Sequence, residues 1–233
     1  WDERSIAAYG LDANRFPPFV HTGERIGRVS PEAADRFGLP AGAPVVAAGS
    51  DFLMSLIGTA SLAPGRTCDR AGTSEGINYC TDSAVSDPRL RTLPHVRPGL
   101  YNVAAILEST GSAFEWFRVV TGQEHTGYVE LLEEIRGSEG DRPLFVPSMH
   151  SGEGWNFADG AFLNLNPQHG KAELGRAVVE SLGFAVRRSI EVLGEAGCEV
   201  KALRVCGGQA KNPVWTKFPF PLKMRICGPP PSS

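Results

Sequence analysis

The stretch that decides the fold is "APVVAAGSDFLMSLIGTA", residues 43–60. Its apolar run at 44–48 predicts a short buried strand, and the residues from about 52 to 60 have the pattern of a helix. Asp51 lies at the junction between these two elements. A carboxylate in this place either caps the helix or faces a cleft and accepts a proton. Spacing alone favours the helix cap.

Composition places the chain among ordinary globular proteins. Its 233 residues are 42% hydrophobic, which is enough for one or two packed domains. A net charge of −3 gives no reason to expect binding to nucleic acid or to a membrane surface. No apolar run is long enough to predict a membrane span. Five cysteines without CxxC spacing indicate reduced thiols, so we expect a cytoplasmic protein.

The rest of the chain alternates predicted strands with predicted helices. This alternation predicts an α/β fold with a mixed sheet. One helix is predicted to begin at Pro31 and to end just before Gly38, and others at 111–121, at 127–136 and at 171–196, the last with a continuous apolar face. Strands are predicted within 67–80 on both sides of a polar turn, and at 100–106, 144–147 and 202–206, with a long loop at 151–160.

Glycine-rich turns follow three of the predicted strands. They are Gly49-Ser50-Asp51, Gly72-Thr73-Ser74 and Gly207-Gly208-Gln209-Ala210. Backbone N–H groups in such turns, together with a Thr hydroxyl, suit phosphate oxygens. Any one of them is better interpreted as an ordinary turn, and the Walker A pattern GxxxxGK[ST] is absent.

Taken together and in chain order, however, these turns and the segments around them resemble the FGGY family of carbohydrate kinases. The resemblance covers about residues 20–217, and Asn164 departs from it where a Gly is usual. It implies an actin-like ATPase (ribonuclease H-like) fold, present here in incomplete form. The segments that carry it are "GLPAGAPVVAAGSDFLMSLIGTASLAPG", "AGTSEGI", "TGSAFEWF", "LFVPSMHSGEGWNFADGAFLNLNP" and "LRVCGGQAKNPVW".

The resemblance also implies a division of the chain. Residues 1–57 correspond to the end of the family's N-terminal, sugar-binding domain, and residues 58–217 to most of the nucleotide-binding domain. Residues 218–233 form an aberrant Pro-rich tail in place of a further strand and helix. Because the chain does not begin with Met, we expect that it starts inside a larger protein.

Six residues match functional positions of the family. Asp51 falls on the catalytic Asp, which accepts a proton from the sugar hydroxyl, a role compatible with helix capping. Thr73 matches a phosphate-contacting Thr, although a β-turn Thr is an even alternative. The remaining four match nucleotide-binding positions: Gly111 and Glu115 one helical turn apart, and Gly208 and Asn212 on the adenine side. Asn212 is also expected to cap the helix that begins at Pro213.

The implied activity is phosphorylation of a sugar or polyol hydroxyl by ATP with Mg²⁺. The magnesium would be held by phosphates and by groups outside this chain. One alternative is a catalytically inactive nucleotide-binding fragment, and another is an actin-like ATPase or sugar-responsive regulator. The chain alone is expected to be inactive, and a homodimer is compatible with the family. The sequence does not identify the sugar.

Two other side-chain types are interpreted as structural. The five histidines lack metal-site spacing, so no metal-binding cluster is predicted. Trp116 is expected to be a buried core residue on the inner face of its helix. Trp155 lies in the predicted loop, and its role stays open.

Overall fold

The structure is a computed structural model that describes residues 1–107, 109–138, 140–148, 159–218 and 225–227. The chain divides into two compact units, Trp1–Ser50 and Asp51–Ser233. Among the described residues, no helix is long and apolar enough to cross a membrane.

The first unit is small and contains one two-stranded sheet. Its elements in chain order are α1 (Glu3–Ala8), a 3₁₀ turn (Ala13–Arg15), β1 (Arg25–Arg28), α2 (Pro31–Phe37) and β2 (Pro44–Val46), with β1 and β2 antiparallel. Helix α2 is bounded as the sequence predicts. The Ser30 hydroxyl accepts from the Ala33 N–H at 3.2 Å, and Gly38 ends the helix with φ 65°.

The prediction of a buried strand at 44–48 is wrong. The strand is shorter, Pro44–Val46, and all three residues are exposed. Its only partner among the described residues is β1, and a two-stranded sheet has little capacity to bury apolar side chains. An apolar run indicates a preference for burial, but burial also requires a layer that covers the strand.

The second unit is an α/β assembly around a six-stranded mixed sheet. Its order is β10-β9-β3-β4-β6-β5, with β10, β9 and β3 parallel and the other pairings antiparallel. A separate two-stranded sheet pairs β7 with β8. The strands are β3 (Thr67–Ala71), β4 (Glu75–Thr81), β5 (Arg91–Pro94), β6 (Tyr101–Leu107), β7 (Leu144–Val146), β8 (Ala161–Leu163), β9 (Ala202–Cys206) and β10 (Arg225–Cys227).

Helices cover this sheet. The helices of the second unit are α3 (Asp51–Gly58), α4 (Gly111–Val120), α5 (Tyr128–Gly137), α6 (Lys171–Glu195) and α7 (Pro213–Thr216). The long helix α6 carries the predicted apolar face, and its Val178 and Leu193 are fully buried in two different core clusters. One cluster joins α6 to α4, α5 and α7, and the other joins α6 to the sheet. The α/β fold with a mixed sheet flanked by helices is therefore confirmed.

Three further sequence expectations have different outcomes. Trp116 is not a core residue: it is 36% exposed and stacks on Phe145, because α4 buries Phe114 and Phe117 instead. The expected absence of a strand beyond β9 is wrong, since Arg225–Cys227 pairs with β9 in parallel. Most of the predicted loop at 151–160, with Trp155, lies outside the described residues.

Candidate functional site

The centre of the candidate site is the turn between β3 and β4, residues 72–74, which we call the phosphate turn. The Gly72 N–H donates to the Ser74 carbonyl at 3.2 Å, closing the turn. Thr73 and Ser74 are exposed at its tip, whereas the flanking Ala71 and Glu75 are buried. The turn therefore presents the hydroxyl groups of Thr73 and Ser74 at the surface, and the buried residues on both sides anchor it in the sheet.

The carbonyl oxygen of Gly72 fixes this turn to two other elements. It accepts the Gly111 N–H at 3.2 Å and the Gln209 side-chain amide at 3.1 Å. The Ser112 N–H also donates to the Thr73 carbonyl at 3.1 Å. The start of α4 and the loop after β9 thus converge on the phosphate turn.

Two glycines are required by this close approach. A Cβ at Gly111 would lie 2.3 Å from the Gly72 oxygen, and a Cβ at Gly207 would lie 2.3 Å from the Ala71 oxygen. Gly207 also has φ 96°, which L side chains rarely adopt. Gly208 has ordinary helical angles and open space around it. The backbone requirement in this loop therefore belongs to Gly207, which the sequence prediction did not single out.

A cavity of about 570 Å³, which we call the nucleotide cavity, opens between these elements. The structure brings all five residues that the sequence predicted for nucleotide binding to its wall: Thr73, Gly111, Glu115, Gly208 and Asn212. The rest of the wall is formed by Gly72, by the polar side chains of Tyr128, Gln209 and Lys211, and by apolar side chains that include Phe114, Leu132 and Trp215. A mostly apolar cavity with a few polar groups is typical of a small-molecule site.

The Glu115 carboxylate is already bound within the protein. Both of its oxygens accept from the Arg118 guanidinium at 3.0 Å, and the Tyr128 hydroxyl donates to one of them. The Arg118 guanidinium lies 4.2 Å from the centre of the Tyr128 ring. Glu115 therefore organises the rim of the nucleotide cavity.

Asn212 is confirmed as a helix cap. Its amide oxygen accepts from the N–H groups of Val214 and Trp215, at 2.9 and 3.2 Å. This oxygen is used by α7, so a contact with a bound base would rely on the amide nitrogen.

Asp51 lies in a second cavity of about 900 Å³, which we call the Asp51 cavity. Asp51 is the first residue of α3, so it does not stand before the helix as the capping interpretation requires. Its carboxylate accepts from the next N–H, that of Phe52, at 2.6 Å, and lies 3.4 Å from the Arg70 guanidinium. The side chain is 87% exposed and can be reached from solvent. Other polar residues around the cavity are Ser55, Thr59, Ser74 and Arg204.

The two cavities meet at the phosphate turn. Gly72 and Thr73 line both of them. One side of Thr73 thus faces the nucleotide cavity, and the other faces the cavity that holds Asp51. A group bound across this turn would come within reach of residues from both.

Comparison with known protein families agrees with this arrangement. The C-terminal domain model of the FGGY family of carbohydrate kinases matches residues 70–218, more than half of the chain, and the N-terminal domain model matches residues 1–58. The chain belongs to the FGGY family of carbohydrate kinases.

Individual FGGY relatives match over almost the whole chain. The autoinducer-2 kinases of Yersinia enterocolitica and Klebsiella pneumoniae are 29% and 30% identical over 237 residues, covering 94% of this chain. The crystal structure of xylulose kinase from Rhodospirillum rubrum has a TM-score of 0.73 at 26% identity and covers 93% of this chain. The actin-like fold is confirmed by this similarity. The chain spans about 45% of each relative's length: 45% and 44% of the two autoinducer-2 kinases and 45% of the xylulose kinase.

Within the FGGY fold, the sequence did not reveal the roles of three residues. Gly207 and Gln209 were placed only in a glycine-rich turn, and Arg70 was not singled out. Gln209 and Arg70 act through contacts with residues distant in sequence, which no local pattern reveals. Gly207 could have been found, because the first glycine after a strand often takes a left-handed conformation.

Proposed function

We propose that the protein transfers the γ-phosphoryl group of ATP to a hydroxyl of a sugar or polyol. The observation that carries this proposal is the pair of cavities that share Thr73. A nucleotide in one cavity would present its terminal phosphate at the phosphate turn, and Asp51 stands in the other. Membership of the FGGY family supports the same reaction class.

In this proposal Asp51 is the general base. The acceptor hydroxyl loses its proton as its oxygen attacks the γ-phosphorus, and the exposed carboxylate of Asp51 accepts that proton. The Arg70 guanidinium, 3.4 Å from the carboxylate, places a positive charge where the transferred phosphoryl group carries negative charge.

The nucleotide would be held by the five residues of the cavity wall that the sequence predicted for this role. The Thr73 hydroxyl binds phosphate oxygens, and the glycine at 111 allows the chain to pass close to them. Gly208 and Asn212 contact the adenine, Gly208 because open space surrounds its Cα. Glu115 shapes the rim through its contacts with Arg118 and Tyr128.

Magnesium would accompany the nucleotide. The described residues contain no cluster of three or more His, Cys, Asp or Glu side chains suited to a metal ion. Asp51 is paired with Arg70, so the Asp51 cavity does not itself resemble a cation site. The ion would be bound chiefly by phosphate oxygens and water, as is usual for Mg²⁺, and no step of the mechanism runs through it.

We propose the following organisation for the protein. Residues 1–57 belong to the sugar-binding domain, residues 58–217 to the nucleotide-binding domain, and residues 218–233 form an aberrant Pro-rich tail that contains β10. The protein would be cytoplasmic and could form a homodimer, and we propose no nucleic-acid or membrane partner. Residues 1–233 alone would not transfer phosphate, because the reaction depends on positioning from both walls of a cleft.

The test separates nucleotide binding from transfer. Calorimetric titration of residues 1–233 with ADP should show binding that Gly208→Val weakens. The protein expressed from its complete gene should release ADP from ATP in the presence of one member of a panel of pentoses, ketoses and polyols. Binding without sugar-dependent ADP release would favour the inactive alternative, and absence of both would refute the proposal.

A further inference from the structure

Two carboxyl groups are buried together directly behind the phosphate turn. Asp69 lies on β3 and Glu75 on β4, and they are 5% and 4% exposed. The register pairs Asp69 with Ile77 and Ala71 with Glu75, so both side chains leave the same face of the sheet at neighbouring positions. Burial and then the charge of Glu75 raise the pKa of Asp69, as expected for two buried carboxyl groups at neighbouring positions. Neither residue belongs to the mechanism proposed above.

Such a pair is stable only if it holds a proton. Two ionised carboxylates in contact repel each other, and burial removes the water that would screen them. The Oδ1 atom of Asp69 is buried with no hydrogen-bond partner among the described residues. A carboxylate would leave this oxygen charged and unsolvated, whereas a protonated Asp69 can donate its single proton to Glu75.

The titration behaviour agrees with this geometry. Burial, followed by the charge of Glu75, raises the pKa of Asp69 well above its ordinary range. Burial raises the pKa of Glu75 to about 7, against the opposing effect of hydrogen bonds from Asp69 and Thr110. The Cys206 thiol on β9 raises the pKa of Asp69 further. Asp69 in turn adds to the rise in the pKa of the Cys68 thiol on β3, which its hydrogen bond with Cys206 chiefly causes.

The pair is connected to both walls of the nucleotide cavity. Glu75 is the residue immediately after the phosphate turn. The Thr110 hydroxyl donates to the Gly72 carbonyl at 3.5 Å, and it also lowers the pKa of Glu75 against the larger effect of burial. The next residue, Gly111, donates its N–H to the same carbonyl at 3.2 Å. The carboxyl pair thus supports the turn and the start of α4 at the point where they touch.

We infer that Asp69 and Glu75, as an uncharged carboxyl pair, are positioning residues that keep the phosphate turn in its nucleotide-binding geometry. This inference rests on the proposed function for its nucleotide. Loss of the proton from Glu75 would place negative charge behind the turn that receives phosphate, and would favour donation from the Thr110 hydroxyl to Glu75 over donation to the Gly72 carbonyl. Nucleotide affinity and stability should therefore both fall as pH rises toward and past 7.

The sign of the stability effect follows from the raised pKa of Glu75. The contribution of Glu75 to the free energy of unfolding is fully present below the ordinary pKa of a glutamate. It is lost as pH rises through about 7. Between pH 5.5 and 8.5 the thermal midpoint of the wild type should fall about 3–6 °C further than that of Glu75→Gln. Glu134→Gln, at an exposed position on α5, is the matched control and should follow the wild type.

The nucleotide arm uses calorimetric titration of residues 1–233 with ADP at pH 6.0 and 8.5. The Kd of the wild type should rise about threefold to tenfold more than the Kd of Glu75→Gln over this interval. Comparison between variants cancels the titration of ADP itself. Asp69→Asn is the second variant: its amide can still donate to Glu75 and Glu75 stays buried, so this variant should keep the pH profile of the wild type.

A pH profile of Glu75→Gln identical to that of the wild type would overturn the inference. So would a failure of both variants to fold while Glu134→Gln folds, because this would indicate a structural role only. If the wild type binds no ADP at either pH, the proposed nucleotide function fails. The thermal comparison would still show whether the pair holds its proton.

Discussion

The side-chain amide of Gln209 donates a hydrogen bond of 3.1 Å to the carbonyl oxygen of Gly72, across 137 residues of sequence. This contact joins the loop after β9 to the phosphate turn. In the proposed mechanism one loop contacts the adenine and the other the phosphates, so the bond fixes the distance between the two ends of the nucleotide site.

Removal of this link should weaken nucleotide binding. Gln209→Ala loses a partly buried hydrogen bond and should raise the Kd for ADP about threefold to tenfold, equivalent to about 1 kcal/mol. Gln168→Ala, at an exposed position, is the control and should bind ADP as the wild type does. Calorimetry of the two variants decides the point, and equal affinities would show that the loops are positioned by other contacts.

Gly111→Ala should destabilise the second unit. The new Cβ would lie 2.3 Å from the Gly72 oxygen, so the backbone must shift, at a cost of about 1–3 kcal/mol. Gly137→Ala, at the last residue of α5 with open space around it, should be neutral or slightly stabilising. Urea unfolding of the two variants measures the difference. If Gly111→Ala were as stable as Gly137→Ala, the close approach of α4 to the phosphate turn would be refuted.

The two adjacent glycines after β9 should respond differently to substitution. Gly207→Ala meets both a positive φ and the Ala71 carbonyl, so it should lower stability by more than 1 kcal/mol. Gly208→Val has room in the unliganded protein and should leave stability nearly unchanged while weakening ATP and ADP binding. Thermal denaturation and calorimetry together test this contrast. Wild-type nucleotide affinity in Gly208→Val would exclude this loop as the adenine contact.

Cys206 should be the most reactive of the four cysteines whose side chains are described. A hydrogen bond from the Cys68 thiol, 3.7 Å away, and the nearby Arg70 charge lower the pKa of Cys206 to about 7. Burial raises the pKa of Cys80 and Cys198. Alkylation of Cys206 by iodoacetamide should therefore accelerate as pH rises through 7, and Cys206 should react before the other described thiols. Peptide mass spectrometry measures the order, and Cys80 or Cys198 reacting first would contradict it.

Much of the fold could be predicted because local chemistry determines it. The apolar face of α6, the Ser30 and Gly38 ends of α2 and the Asn212 cap all depend on neighbours within four residues. The exposure of Pro44–Val46 could not be predicted in this way, since burial depends on which layer covers a strand.

The candidate site likewise combines features that the local sequence predicts with contacts that depend on how distant strands pack. Thr73 and Gly111 line the same cavity, and the sequence already singles out both residues. Their nucleotide-binding roles stay predictions. The Gln209–Gly72 bond and the Asp69–Glu75 pair arise only when β3 meets β9 and β4. Nothing in the sequence indicated a buried carboxyl pair, because Asp69 and Glu75 lie in the largely polar strand segments TCDRA and EGINYCT.

The central claim is that Asp51 removes the proton from the acceptor hydroxyl. The most direct test is the kcat of Asp51→Asn, measured with saturating ATP and sugar in the protein expressed from its complete gene, alongside the Kd for ADP. The account predicts that kcat falls about 10²–10⁴-fold while the Kd stays within about twofold, since Asp51 does not line the nucleotide cavity. An Asp51→Asn variant that keeps most of its kcat would contradict it and leave Asp51 as a structural residue at the start of α3.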